Sequence, residues 1–222
     1  MIRRDYILRM IEEFVQILAR IKSLKQGQLW REASSRIDEE FKRLIGSGAD
    51  SISQLSETEL LAKLIQGEET RFAVRDKTVM LATMLREAGD LATTENRLDQ
   101  ARMYYLKGLH LLLDVLSREG LEDFPDFVPK VEVFVAALKD YSVPLETHGL
   151  LMQHYERTGE FAKAEDALFK MLELEPKNSA LVNFGISFYQ RLRGKSDNVL
   201  AEGGLPREEV ESGLAELRGA GT

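Results

Sequence analysis

The residues able to carry chemistry are three histidines, several carboxylate doublets and two glycine-rich turns. Their spacing argues against a catalytic centre. His148 and His154 are six residues apart, which is wrong for sharing a helix face, and His110 lies in the apolar run LHLLLDVL. None sits in a His-Glu-x-x-His arrangement, and the chain has no Cys, so disulfide and thiolate chemistry are excluded. The doublets Glu12-Glu13, Asp38-Glu39-Glu40, Glu68-Glu69 and Glu208-Glu209 are helix neighbours. Adjacent helical residues point about 100° apart, so such pairs do not converge on one proton or metal. They read as solvated faces or as partners of helix N-termini. Gly203-Gly204 and Gly46-Ser47-Gly48 lack the Lys-Ser/Thr ending of a phosphate loop, and no Gly-x-Ser-x-Gly elbow occurs. The expectation is a protein with no catalytic, cofactor or metal site.

Composition sets the frame. Hydrophobic residues make up 44% of the 222, enough for a real core, while the 30% that are charged are mixed along the chain as on exposed helix faces. The net charge of −7 and the lack of a Lys/Arg run disfavour nucleic-acid binding. Arg3 and Arg4 suggest a leader, but Asp5, Glu12, Glu13, Arg20 and Lys22 interrupt any apolar core for export or membrane spanning. A soluble cytoplasmic protein is expected, with no membrane contact.

The elements are helices. No long alternating run of β-branched residues occurs, and the prolines sit at helix boundaries. From an N-cap at Asp5, Ile7, Ile11, Phe14, Leu18 and Ile21 form a broad apolar stripe, which ends at a turn at Lys25-Gln26-Gly27. Trp30, Ala33, Ile37, Phe41 and Leu44 mark a second helix over 28–45, and 46–51 reads as a flexible connection. Ser56 and Glu59 have capping-box spacing for a short helix closed by Gly67. Longer helices follow from Glu69 to Thr93 and after Asn96, with Gly89 a site of close packing. Another helix opens at Asp123-Phe124-Pro125 and Val128-Pro129. The segment 193–204 delays a last helix that begins at Pro206, and Gly219 to Thr222 should fray.

One stretch announces an architecture. In LETHGLLMQHYERTGEFAKAEDALFKMLELEPKN, Leu151 and Tyr155 share a face and Gly159 sits at a helix C-terminus. Phe161, Ala164, Leu168, Met171 and Leu174 form the stripe of a second helix, and Pro176 stops it. Leu151, Tyr155, Gly159, Phe161, Ala164 and Pro176 resemble the signature of a tetratricopeptide repeat, a unit of about 34 residues that pairs two antiparallel helices. His148, Met152, Leu168 and Met171 depart from it. Leu98, Ala101, Tyr105 and Gly108 resemble a degenerate copy over about 78–113, and the first two helices a more worn one. The motifs DYILRMIEEFVQILARI, TENRLDQA and GGLPREEVESGL together resemble an uncharacterised family of bacterial helical proteins across nearly the whole chain.

The resemblance implies an all-α fold: a right-handed stack of antiparallel helical hairpins, a tetratricopeptide-repeat-like α-solenoid. The expected layout is an N-terminal helical region over 1–67, then repeats with a C-terminal capping helix over 68–222, joined as one continuous domain. It implies a non-catalytic module that binds another protein, as a peptide or helix, in a concave groove lined by first helices. The positions facing that groove are Glu146, Gln153 and Glu156, then Asn183, Ile186 and Gln190, with Gly149 between the first two. No Lys or Arg occupies the positions that clamp a carboxylate, and Glu146 and Glu156 favour a basic or helical partner. The alternative is a structural or oligomerising protein, a homodimer seamed by the helix over 5–24. A small-molecule sensor or an enzyme is a third reading and needs a deep polar pocket.

Overall fold

Among the residues that the computed structural model describes, 2–66, 70–118 and 124–220, every regular element is a helix. The stop at Gly67, the Glu68-Glu69 doublet, the helix start at Glu69, Asp123 and residues 221–222 lie outside them. Contacts divide the chain into two units, Met1–Ser142 and Val143–Thr222.

The first unit is organised around a long hairpin. Helix α1 (Ile2–Gln26) and α2 (Trp30–Ile45) are followed by α3 (Ala49–Gln54) and α4 (Glu57–Ile65). The hairpin proper is α5 (Arg71–Thr94) and α6 (Leu98–Arg118), and the short α7 (Val131–Ala137) closes the unit. Helices α1, α2 and α4 all pack on α5. The expected division near residue 67 therefore falls within one core, shared by the N-terminal helices and the hairpin.

Local chemistry explains most boundaries. Asn96, in the left-handed region at φ 57°, turns α5 into α6, and the Arg97 N–H closes on the Ala92 carbonyl at 2.8 Å. At the end of α1 the left-handed residue is Gln28, not the neighbouring Gly27, and Leu29 closes on Leu24 at 2.9 Å. Helix α1 runs from Ile2, so position 5, expected at its start, lies within it. Ser56 and Glu59 do form the capping box that opens α4. The stretch read as a flexible connection contains α3, because the Asp38 carboxylate of α2 accepts from the Ala49 N–H at 2.8 Å.

The hairpin is longer than a repeat. Helices α5 and α6 have 24 and 21 residues, against 14 each in the hairpin described next, so the expected copy over 78–113 covers only its middle. Its helices approach closely at Gly89, where a Cβ would lie 2.4 Å from the buried Tyr105 ring. One turn on, a Cβ at Gly108 would meet both the buried Phe134 ring of α7 and the Ala82 carbonyl of α5. Polar groups tie the smaller helices on. Lys107 of α6, nearly buried, donates to the carbonyls of Ile52, at 2.9 Å, and Leu55 at the end of α3. Burial pushes its ammonium below the usual value.

The second unit begins with the clear hairpin, α8 (Leu145–Thr158) and α9 (Phe161–Leu174). Gly159 is left-handed at φ 81°, and the Glu160 N–H closes on Tyr155 at 2.9 Å. Helix α10 (Ser179–Arg193) starts at Asn178, whose side chain accepts from Ala180 and Leu181. It packs on α9 and, more extensively, on α12 (Arg207–Ala220). The segment read as a delay holds α11 (Asp197–Glu202). The Gly203 carbonyl after it accepts from the Ala162 N–H at 3.0 Å, satisfying a donor at the open N-terminus of α9.

Two glycines in helix interiors separate close packing from bare propensity. Tyr105 cannot give way at Gly89, because its hydroxyl is held by Asp90 and Thr93. Gly89→Ala is expected to destabilise by about 1–3 kcal/mol through overpacking. Gly149 of α8 meets only Met171 Sδ at 3.7 Å, an ordinary contact. Gly149→Ala is expected to stabilise by roughly 0.5–1 kcal/mol. Denaturant midpoints at unchanged m values check both signs.

Candidate functional site

The residues expected to face a partner lie on α8 and α10 of the second unit. On α8, Glu146, Gly149, Gln153 and Glu156 follow three- and four-residue steps, and Asn183, Ile186 and Gln190 do the same on α10. Glu146, Gln153, Asn183 and Gln190 are exposed, while Gly149, Glu156 and Ile186 are half-buried. The opposite faces supply the packing, through Leu151 and Tyr155 on α8 and through Gly185, Phe188 and Tyr189 on α10.

The structure joins the two rows at one point. Glu156 accepts from Arg191 Nε and Nη2 at 2.7 Å each, a forked pair that lifts the guanidinium above its usual value. Glu156 is in the last turn of α8 and Arg191 in the last turn of α10, so the C-terminal ends of these helices lie side by side. Arg191 is the residue that sequence reasoning missed. Its one signal was a basic side chain in a helix's last turn, opposite an acidic one at the same place in the preceding hairpin. Its presence removes Glu156 from the acidic character expected of this face. Glu146 and the exposed carboxamides of Gln153, Asn183 and Gln190 remain. Carboxamides both donate and accept, as a peptide backbone requires.

Below this face a tyrosine fixes α10. Tyr189 is fully buried, its ring lies where a Cβ of Gly213 in α12 would be, and its hydroxyl donates to Glu165 of α9 at 2.6 Å. Burial lifts the Glu165 carboxyl above its usual value. The tyrosine bond works against that, while Glu209, Asp166 and Glu216 add to it.

The histidines are built into helix packing. His110 Nδ1 is 3.2 Å from the Glu57 carboxylate, which this contact holds below its usual value. The buried ring of His154 packs at 5.5 Å from that of Tyr155. Burial lowers His148. Among the described residues no group of three or more His, Asp and Glu is placed to hold a metal, and no helix is long and apolar enough to cross a membrane.

The chain belongs to the family of unknown function DUF6483, which it matches over residues 1–220. No curated protein and no solved structure matches it.

Glu165 gives the second unit a testable pH dependence. A carboxyl whose folded value is raised binds its proton more tightly in the folded state. Its contribution is therefore present at acid pH and is lost as pH rises from the unfolded value near 4.5 through the folded one. Glu165→Gln keeps an acceptor for Tyr189 without the charge. It is expected to increase hydrogen-exchange protection of α9 and α10 at pH 7 and to flatten the decline above pH 4.5. Equal slopes in both proteins would show that this carboxyl is not the cause.

Proposed function

We propose that the chain is a non-catalytic interaction protein whose second unit is a pair of tetratricopeptide-repeat-like hairpins. In this reading α8 and α9 form one hairpin and α10 and α12 the next, with α11 inserted. The first helices, α8 and α10, present a face to a peptide or helix of another protein. The observation that carries the reading is the forked Glu156–Arg191 pair. It sets the equivalent ends of α8 and α10 together, as first helices of consecutive hairpins stand in a stack. The left-handed Gly159 and the packing of α9 on α10 support the same arrangement.

Recognition on this face is by hydrogen bonding more than by charge. Gln153, Asn183 and Gln190 stand exposed on the two helices. The arginine at Glu156 offsets the negative field that would otherwise select a basic partner.

A second reading rests on a separate observation. On α1, Leu8 and Val15 are 49% and 44% exposed, one heptad apart, with Ile11 half-buried between them. They form a short apolar edge suited to a second copy.

The triple variant Gln153→Ala, Asn183→Ala, Gln190→Ala removes exposed side chains and is expected to change stability by no more than about 0.5 kcal/mol per site. Used as bait beside the natural chain in an extract of the source organism, it is expected to lose at least tenfold of a partner that the natural chain retains. Retention of the same proteins by both would exclude this face. For the second reading, light scattering is expected to show a dimer that Leu8→Asp with Val15→Asp converts to a folded monomer. A monomeric natural chain would refute it.

A further inference from the structure

We propose that α1 pairs with α1 of a second copy in antiparallel orientation, about a two-fold axis level with Ile17. The proposal rests on the self-association reading above and adds to it the direction and register of the seam.

Helix α1 has a buried side and a bare side. Met10, Phe14, Leu18 and Ile21 are buried, and the helix packs on α2 and α5. On the side away from them Leu8, Glu12, Val15, Ala19, Lys22 and Gln26 are all exposed. Their steps alternate four and three, so at 100° per residue the six lie within an arc of about 80°. That is the narrow stripe along which two helices meet. The side chains of Glu12 and Lys22 have no hydrogen-bond or ion-pair partner among the described residues.

The row is its own complement when reversed. Steps of four, three, four, three and four read the same from either end. An antiparallel copy therefore sets Leu8 against Gln26, Glu12 against Lys22 and Val15 against Ala19, each pair twice. Val15 meets the small Ala19, which lets the helices approach closely. Leu8 reaches the end of the other α1, beside the turn in which Leu29 is 46% exposed.

Charge sets the direction. The same side chains are covered whichever way the two copies run, so apolar burial does not choose between them. In a parallel pair Glu12 would face Glu12 and Lys22 would face Lys22, with the helix dipoles aligned. In the antiparallel pair both contacts join an acid to a base, and the dipoles oppose. A second copy is the occupant because the row supplies its charges and their complements together. The seam is short, so the dimer is expected to be weak and concentration-dependent.

Sedimentation equilibrium and disulfide cross-linking test the proposal, and since the chain has no Cys, introduced ones act alone. Glu12→Lys or Lys22→Glu is expected to weaken the dimer about tenfold at low salt, and the two together to restore it. A parallel seam would leave all three variants at the natural strength, because like faces like in each. Both positions are exposed, so thermal melting should not change. Oxidation of a mixture of the Leu8→Cys and Gln26→Cys chains should give the mixed disulfide, while Gln26→Cys alone should stay reduced. A natural chain that is monomeric at its highest soluble concentration overturns the self-association reading and this proposal with it. A dimer that is indifferent to the charge reversals, that gives no mixed disulfide, or that cross-links from Gln26→Cys alone overturns only the antiparallel seam.

Discussion

The first unit depends on one close approach, that of Tyr105 to Gly89. A side chain at 89 would hold α6 away from α5; without one, the tyrosine ring lies against the α5 backbone. That approach brings the hydroxyl to Asp90 at 3.0 Å and to Thr93 at 3.2 Å. Asp90 is in turn 3.1 Å from Arg86 and 3.0 Å from Lys25 of α1. Lys25 also reaches the buried Glu87 at 2.6 Å, and Glu87 meets Arg86 at 3.0 Å. Two cations balance two carboxylates, so burying Glu87 leaves no uncompensated charge. The position of α1 on α5 is therefore linked to the absence of a Cβ on a different face of the same helix. An exchange of Lys25 alone would unsettle a buried acid, not merely lose a surface pair.

The second unit uses the same device with the opposite electrostatics. Tyr189 lies on Gly213 as Tyr105 lies on Gly89, and each hydroxyl bonds a carboxylate. In the first unit Lys25 and Arg86 neutralise the carboxylate. In the second, Asp166, Glu209 and Glu216 surround Glu165, which burial has already lifted. Desolvation and like charge thus act in one direction there, and only the tyrosine bond opposes them. One packing motif holds both units, but only the second carries a residual penalty in its charge.

Most features closed by neighbours in sequence were legible, and those closed by distant groups were not. The Ser56–Glu59 box, the left-handed Gly159 and the stripe from Phe161 through Met171 each depend on residues within one or two turns, and the structure has them as read, while Leu174, expected to end the stripe, is exposed. Gly89 signalled close packing, but the identity of its partner required the path of α6. Helix α3 was hidden in a Gly-Ser-Gly stretch because its start is held by Asp38, from the preceding helix. Helix α11 was hidden for a similar reason. Arg207 of α12 donates to the carbonyls of Arg193 and Lys195 and pairs with Asp197, so the segment is folded by a residue beyond it. The turn after α1 shows the finest limit. Gly27 and Gln28 are adjacent, glycine is the natural choice for the left-handed position, and the backbone gives it to Gln28. The Leu29-to-Leu24 closure sets that register, and composition does not encode it.

The same distinction governs the candidate sites. The rows on α8 and α10 could be read from periodicity, since any exposed helix face repeats at three and four residues. Their charge could not be, because Arg191 meets Glu156 across 35 positions. On the reading proposed for that face, a partner would meet amides, one balanced ion pair and the single carboxylate of Glu146, so salt should weaken it only modestly. A cleft in the first unit is the reverse case: its apolar lining comes from α4, α5 and α6, and no run in the sequence marks it. In this chain charge serves mainly to fasten helices, as at Lys25, Arg207 and Glu156.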